Sequence, residues 1–158
     1  MRFTIGPIDG VLVHDLVKRR DARGWLAELF RNDELPEGYS PAMAYFSETL
    51  PGVVRGPHEH REQADLFCFV EPSTFRMYLW DARTGSPTYG NKMVLDAGEN
   101  EPRSVVVPAG VVHAYKNIGS AAGRIINLPN RLYAGAGRKE AVDEIRHEND
   151  PNTIFTID

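Results

Sequence analysis

Two histidines separated by one residue, His58 and His60, stand in the charged stretch RGPHEHREQAD at residues 55–65. They are two of the five histidines in this chain of 158 residues. Side chains two positions apart on a strand project from the same face, so both imidazoles can converge on one point. Asp65 follows five residues after His60, where a short turn can return its carboxylate to that point. Such a group can bind a metal ion, take a proton from a substrate, or have no chemical role beyond its place on a strand.

A further histidine, His113, lies in the stretch PAGVVHAYKN at residues 108–117. The fixed positions of its pattern P-x-G-x-x-H-x-x-x-N are Pro108, Gly110, His113 and Asn117. The proline and the glycine predict a turn that delivers His113 onto the following strand. Tyr115, two residues later, shares the face of His113 and is a candidate either for substrate contact or for packing in a barrel wall.

The elements that must position these side chains are short apolar runs between segments rich in glycine, proline and asparagine. Those segments mark turns, and runs of this length between turns predict strands. Many short strands with little helical periodicity are typical of an all-β sandwich or barrel. The predicted strands are residues 11–17, 24–30, 42–50, 53–60, 65–70, 74–82, 91–97, 103–109, 111–118 and 123–129. Only residues 139–148 and 31–38 have sequences that could hold a helical turn.

The predicted strand at residues 74–82 alternates between two kinds of side chain. One face carries Phe75, Met77 and Leu79, and the other carries Arg76, Tyr78 and Trp80. The second set is large and amphipathic, so its face either lines a pocket or is an outer face covered by a partner subunit. The sequence leaves both alternatives open.

Composition narrows the class of protein. The chain is 42% hydrophobic and 25% charged, as expected of a folded globular protein, and its length suits one domain. A net charge of −4 and the absence of a long basic run argue against a nucleic-acid partner, and Lys18 to Arg20 is interpreted as a solvated turn.

The single cysteine, Cys68, excludes an intrachain disulfide and is predicted to be a buried hydrophobe. Without a signal-peptide core or a membrane-spanning run, a cytoplasmic protein with no membrane partner is expected.

The two histidine-containing stretches together resemble the two signature motifs of the cupin superfamily. The first reads G-x5-H-x-H-x4-acid from Gly52 to Asp65, with aspartate where that family usually has glutamate. The resemblance implies a cupin jelly roll, which is a double-stranded β-helix barrel with its site inside. Three imidazoles and a carboxylate also match a mononuclear cupin metal site, which gives the hypothesis of a bound Zn, Mn, Fe or Ni ion. The ligands would be His58, His60, Asp65 and His113.

A narrower resemblance, to the dTDP-4-dehydrorhamnose 3,5-epimerase family, covers most of the chain. It implies a homodimer that acts without a cofactor on a nucleotide-linked 4-keto-6-deoxysugar, in the synthesis of a surface polysaccharide or another deoxysugar product. Residues 1–158 would form one cupin domain, with N-terminal strands at 1–50 partly in the dimer interface, the barrel core at 51–133 and a tail at 134–158. The similar strings are DARGWLAELF (21–30), VVRGPHEH (53–60), WDARTGSPTYG (80–90), VVVPAGVVHAY (105–115) and IRHENDP (145–151).

Epimerisation next to a ketone removes an α-proton and returns a proton to the opposite face of the carbon. It requires a base, an acid on the other side, and a donor near the keto oxygen. A neutral histidine suits the base, and by the resemblance that base is His58 in the R-G-x-H string. The resemblance also implies substrate-binding residues. They are Arg55 and His113 in the site, Arg23 and Glu28 toward the nucleotide in the same or the neighbouring subunit, and Tyr133 near the sugar.

The chain departs from that family at four places. Asn127 stands where the family has its acid tyrosine, and it either orients a ligand or ends a strand. Asp65 replaces a lysine and reverses the charge. The family's C-terminal aspartate, partner of the base, has no counterpart before Asp158. The polar pair on the strand before R-G-x-H is replaced by Met43 and Tyr45.

Three functions are therefore compatible with the sequence. The first is an enzyme of the 3,5-epimerase type, performing an epimerisation or an isomerisation by α-proton abstraction. The second is a metal-dependent cupin of another reaction class acting on a small polar substrate. The third is a sugar-binding cupin without catalysis. The shared strings favour the first.

Overall fold

The computed structural model describes residues 2–158, and it is built almost entirely from strands. Two sheets face each other around an apolar core, so the predicted all-β jelly roll is confirmed. Two short 3₁₀ turns, Ala136–Arg138 and His147–Asn149, lie near the C-terminus. The strands are β1 (Thr4–Ile5), β2 (Leu12–Asp15), β3 (Arg19–Asp21), β4 (Gly24–Leu26), β5 (Tyr45–Thr49), β6 (Val54–Glu59), β7 (Asp65–Phe69), β8 (Thr74–Asp81), β9 (Asn91–Gly98), β10 (Arg103–Val107), β11 (Val111–Asn117), β12 (Gly123–Asn127) and β13 (Ile145–Arg146).

The two sheets supply the opposite walls of the barrel. One has the strand order β1-β9-β8-β11-β6-β13, and the other has β2-β10-β7-β12-β5, while β3 and β4 form a separate hairpin. Inward side chains of both sheets, such as Phe69, Phe75 and Val105, are fully buried in one cluster. Burial of apolar surface stabilises the fold by about 25 cal/mol per Å², so this shared core holds the two walls together.

All ten predicted strands have counterparts, but three further strands were missed. β1 and β13 have two residues each, too few for alternation to be visible, and both depend on partners far along the chain. The interpretation of Lys18 to Arg20 as a turn is wrong for Arg19 and Arg20, which pair with β4. Residues 31–38 form no helix, only a hydrogen-bonded turn in which Glu34 N donates to the Arg31 carbonyl at 3.0 Å. Residues 139–148 are mainly extended and include β13, and the 3₁₀ turn His147–Asn149 begins at their end.

The two faces of β8 separate as the alternation predicts. Phe75, Met77 and Leu79 enter the barrel core. Tyr78 and Trp80 pack on the outside with Phe155 from the chain's own C-terminal segment, and the Trp80 and Phe155 ring centroids are 5.7 Å apart. The interpretation of this face as a pocket lining is therefore wrong, and both rings are fully buried within one subunit.

The residues 81–88, within the string WDARTGSPTYG, close the turn between β8 and β9. The buried carboxylate of Asp81 accepts hydrogen bonds from Arg83 Nε at 2.9 Å, Ser86 Oγ at 2.5 Å and Thr88 Oγ1 at 2.6 Å. Arg83 also donates to the backbone carbonyl of Asp9, which ties the N-terminal segment to this turn. These residues line no part of the large cavity, so the string is structural. Among residues 2–158, no helix has the length and apolar character that crossing a membrane requires.

Candidate active site

A cavity of about 880 Å³ opens between the two sheets. Its walls come from β5 and β12 on one side and from β6 on the other, and residues 130–136 and 140–144 cover part of it. A cavity of this size can hold a ligand much larger than a metal ion with its water. The side chains that line it include His58, His60, Asp65, Arg55, Tyr115, Asn127 and Tyr133, all of which the sequence singled out.

The three predicted histidines lie together, with His58 and His60 lining the cavity and His113 buried behind them rather than lining it. His58 on β6 is the cross-strand partner of His113 on β11, and their ring centroids lie 4.6 Å apart. The His60 ring is 6.0 Å from that of His58 and 5.9 Å from that of His113. One nitrogen from each ring lies within 4.8 Å of the others. The H-x-H spacing and the P-x-G-x-x-H turn thus bring together imidazoles from two adjacent strands.

The glycine of the R-G-x-H string is required by the close approach of strands β6 and β11. Gly56 has a φ of 87°, in the region that favours glycine. A Cβ at this position would lie 2.6 Å from the carbonyl oxygen of His113 and 3.1 Å from the backbone nitrogen of His58. Glycine is therefore the residue that lets the two histidine-bearing strands pass so near each other.

His113 is fully buried and has one nitrogen without a partner. Its Nδ1 donates to the carbonyl of Val111 at 3.0 Å, so its Nε2 carries a lone pair in the neutral ring. That Nε2 is buried, makes no hydrogen bond with residues 2–158, and lies 3.7 Å from Asp65 Oδ2. Burial lowers the pKa of His113 and keeps the ring neutral.

His60 and Asp65 form a buried pair. His60 Nε2 lies 3.2 Å from Asp65 Oδ2, and Asp65 Oδ1 accepts from Gln63 Nε2 at 3.0 Å and from Asn127 Nδ2 at 2.9 Å. Burial alone would raise the pKa of Asp65, but the hydrogen bonds from His60 and Asn127 and the charge of His60 outweigh it and hold that pKa at about 2. For His60 burial lowers the pKa, yet the bond to Asp65 and its charge prevail and raise it. The turn after β6 therefore points Asp65 inward, toward the histidines.

His58 faces the cavity and is mostly shielded from water. Burial, followed by the charge of the neighbouring His60, lowers the pKa of His58 to about 2, so the ring is neutral at pH 7. Its Nδ1 lies 3.9 Å from Glu144 Oε1 and 4.0 Å from Glu148 Oε1. Strand β13 brings both glutamates here, because its Arg146 pairs directly with His58.

Glu144 and Glu148, with Asp143 beside them, are site residues that the sequence analysis missed. The sequence offered no counterpart of the family's C-terminal aspartate, but two other carboxylates approach the ring of His58. The signal was the charged tail, of which only the string at 145–151 was singled out. The Asp143 carboxylate accepts the backbone N–H groups of residues 61, 62 and 63, each at 2.9 Å.

The remaining predicted contacts divide into two groups. Arg55 lines the cavity and donates to Thr49 Oγ1 at 2.9 Å, and Tyr133 packs edge-on against Tyr45 with centroids 6.5 Å apart. Arg23 and Glu28 are exposed and lie outside the cavity of their own chain. Their partners are surface charges: Asp21 lies 2.5 Å from Arg23, and Arg31 lies 3.7 Å from Glu28.

The donor set of the histidine cluster fits a divalent metal. Metal-bound histidines usually donate their second N–H to a carbonyl or a carboxylate, which leaves the other nitrogen for the ion. His113 donates to a backbone carbonyl in this way, and so does His60, whose Nδ1 meets the carbonyl of Asp143. Three imidazoles with a neighbouring carboxylate suit Zn²⁺, Fe²⁺, Mn²⁺ or Ni²⁺.

Comparisons with known proteins agree with this architecture. The family model described as dTDP-4-dehydrorhamnose 3,5-epimerase matches residues 6–141. The spore coat polysaccharide biosynthesis protein SpsL of Bacillus subtilis is 36% identical over 148 residues, which cover 93% of each chain. A probable low-salt glycan biosynthesis epimerase of Haloferax volcanii is 37% identical over 127 residues, covering 80% of this chain and 81% of that protein.

A solved structure extends the likeness to the fold. NovW, a 4-keto-6-deoxy sugar epimerase from the novobiocin biosynthetic gene cluster of Streptomyces spheroides, superposes with a TM-score of 0.71 at 27% identity. The alignment covers 84% of this chain and 69% of NovW. With a family model spanning most of its residues and relatives above 30% identity along nearly its whole length, the chain belongs to the dTDP-4-dehydrorhamnose 3,5-epimerase family.

Proposed function

We propose that the protein epimerises a nucleotide-linked 4-keto-6-deoxysugar by removing a proton from a carbon next to the ketone. The observation that carries this proposal is His58, a neutral and largely buried imidazole that faces a cavity large enough for a sugar nucleotide. NovW, similar in fold and sequence, is an epimerase of 4-keto-6-deoxy sugars. The names of both curated relatives support a role in the biosynthesis of a surface polysaccharide or glycan.

In this proposal His58 accepts the α-proton and becomes an imidazolium. Glu144 and Glu148, about 4 Å from its Nδ1, stabilise the positive charge as it forms. The electrons of the broken C–H bond move into the ketone and generate an enolate. The enolate oxygen needs a donor or a positive charge nearby, and the guanidinium of Arg55 on the same strand supplies both.

The nucleotide part of the substrate would extend toward the mouth of the cavity, beyond Tyr133. We propose a homodimer in which Arg23 and Glu28 contact the nucleotide bound by the partner subunit, since neither reaches the cavity of its own chain. Exposed apolar side chains near them support this arrangement, with Leu26 58% and Val17 65% exposed. The protein would act in the cytoplasm, where nucleotide sugars are available.

The proposal is tested by incubating the protein with dTDP-4-keto-6-deoxyglucose in deuterated water and following the sugar protons by NMR. Exchange at a carbon next to the ketone, well above the rate without protein, is the expected result. Tight binding without exchange would contradict catalysis and would indicate a sugar-binding cupin. If the protein neither binds this sugar nucleotide nor catalyses exchange, the proposed substrate class is contradicted.

A second candidate function, that of a metal-dependent cupin, is favoured by the Nε2 of His113, which has no hydrogen-bond partner among residues 2–158 and lies within the histidine cluster. The ion would be held by His58, His60 and His113, with Asp65 as the neighbouring carboxylate. A bound divalent ion would supply Lewis-acid chemistry to a carbonyl or a water molecule.

Elemental analysis of purified protein, loaded with each metal salt in turn, tests this second function. Near-stoichiometric metal that is lost in His60→Ala, but kept in the surface variant His14→Ala, would support it. Metal content well below one equivalent after loading would exclude it and leave the imidazole of His58 available as a base.

A further inference from the structure

The proposed epimerisation needs a second proton donor, on the wall of the cavity opposite His58. A base that returned its own proton would restore the original configuration, so inversion requires an acid on the other face of the carbon. His58 is on β6, in the six-stranded sheet. The opposite wall is the five-stranded sheet, whose edge strand β5 and its neighbour β12 line the cavity.

Tyr45 is the phenol on that opposite wall. It begins β5 and lines the cavity, and its neighbour Phe46 is far more exposed, at 71%. Tyr45 pairs across the strands with Asn127, and the next inward pair is Ser47 with Ile125. Ile125 belongs to the barrel core, so this face of both strands points inward.

Three other side chains that line the cavity are less suited to donate a proton. Asn127 has an amide, which is not an acid near neutral pH, and its N–H is already donated to Asp65. Tyr115 is 4% exposed and packs edge-on against Phe67 and Phe75, deeper in the barrel. Tyr133 lies at the mouth and is half-exposed.

We propose that Tyr45 is the general acid of the reaction, placed across the cavity from the base His58. This rests on the proposed function. Tyr45 packs edge-on against Tyr133, with ring centroids 6.5 Å apart, and this contact orients its ring. Burial, followed by the charges of Tyr133 and Asp65, raises the pKa of Tyr45, so the phenol keeps its proton until the enolate forms.

The proton balance is simple. His58 takes a proton from the α-carbon, and the C–H electrons become the enolate. The enolate carbon then takes the hydroxyl proton of Tyr45 on its other face, forming a new C–H bond and a tyrosinate. Water returns a proton to the tyrosinate and removes one from the imidazolium, so the enzyme is restored and no oxidant or reductant is needed.

Comparison of Tyr45→Phe with wild type in deuterated water tests the assignment, with dTDP-4-keto-6-deoxyglucose as substrate. Phenylalanine keeps the ring, and an unchanged melting temperature confirms folding. The expected result is that inversion falls at least about 100-fold, while exchange of the α-proton through His58 stays within about fivefold of wild type. Tyr89→Phe, which changes an exposed phenol outside the cavity, is the matched control and is expected to behave as wild type.

Inversion by a folded Tyr45→Phe at the wild-type rate would overturn the assignment to Tyr45 and leave the proposed function intact. Loss of exchange together with inversion would also overturn it, because the base would then depend on Tyr45. Wild-type protein that neither exchanges nor inverts the substrate would instead show that the proposed function has failed.

Discussion

His60 donates its Nδ1 proton to the backbone carbonyl of Asp143, a residue 83 positions further along the chain. The side chain of Asp143 accepts three backbone N–H groups from the turn that follows His60. One residue of the C-terminal segment thus fixes both the ring orientation of His60 and the turn beside it. The barrel and the segment that covers its cavity are joined at this contact.

Asp143→Ala is expected to lower the free energy of unfolding by about 2 kcal/mol, because three donors lose a charged acceptor in a partly exposed setting. For a chain of this size that corresponds to a melting temperature about 6 °C lower. Affinity for the sugar nucleotide should also fall, since the cavity cover loosens. Asp150→Ala, which removes one exposed bond to the Asn152 backbone, is the control and should change the melting temperature by less than about 2 °C. Equal effects of the two substitutions, measured by thermal unfolding, would contradict the role of Asp143.

Gly56→Ala tests the close approach of the two histidine-bearing strands. The added Cβ meets the His113 carbonyl, so we expect a loss of about 3 kcal/mol or more and a sharp fall in α-proton exchange. Gly52→Ala is the matched control, because Gly52 also has a positive φ, of 74°, but its Cβ would have nothing within 4 Å. That control should lose only about 1 kcal/mol, through backbone strain. Urea unfolding of both variants measures the difference, and equal losses would rule out a steric requirement at Gly56.

Asp65 is expected to make the free energy of unfolding fall at acid pH. Burial raises its pKa, but the hydrogen bonds from His60 and Asn127 and the charge of His60 outweigh burial and set the folded value at about 2, below the ordinary 3.8. A depressed pKa stabilises the folded state above pH 3.8, and this contribution is lost as the pH falls through about 2. The loss amounts to about 2 kcal/mol, at about 1.4 kcal/mol per pKa unit.

Urea unfolding at several pH values tests this dependence. The quantity compared is the difference in the free energy of unfolding between wild type and Asp65→Asn. That difference should shrink by about 2 kcal/mol between pH 4 and pH 2. His60 acts in the opposite sense: its raised pKa contributes stability below pH 6.5 that is lost as the pH rises through the folded value. Asp150→Asn, at an exposed position, controls for general acid effects. A difference that stays constant from pH 4 to pH 2 would contradict the buried pair.

Much of the site followed from local patterns in the sequence. The spacing of His58 and His60 and the turn before His113 predicted that these rings converge, and short strands bounded by glycine and proline predicted the barrel. These patterns can be interpreted from the sequence because each depends on only a few neighbouring residues. The contacts of Asp143 and Glu144 did not follow, because they depend on a two-residue strand that pairs with β6 far away in the chain.

The outer face of β8 shows the same limit. Alternation predicted correctly that Tyr78 and Trp80 share a face, but it carries no information about what covers that face. Phe155, from the chain's own C-terminal segment, does so. Periodicity indicates which side chains share one face of a strand. Which residues pack against that face depends on the long-range path of the chain.

Leu26→Asp tests the proposed homodimer. Leu26 is an exposed apolar residue on the β3–β4 hairpin, and a carboxylate there would be costly to bury between subunits. Sedimentation velocity is expected to show wild-type dimers and Leu26→Asp monomers at micromolar concentration. Ile118→Asp, at an exposed apolar position after β11, is the control and should leave the dimer intact. A monomeric wild type would contradict the proposal.

The most direct test of the central claim is the rate of α-proton exchange from dTDP-4-keto-6-deoxyglucose in deuterated water with His58→Gln. Glutamine keeps a polar side chain of similar length but cannot accept the proton, so exchange is expected to fall at least about 100-fold. His14→Gln, on strand β2 outside the cavity, should exchange at the wild-type rate. Exchange by a folded His58→Gln at the wild-type rate would show that another group is the base and would contradict the account.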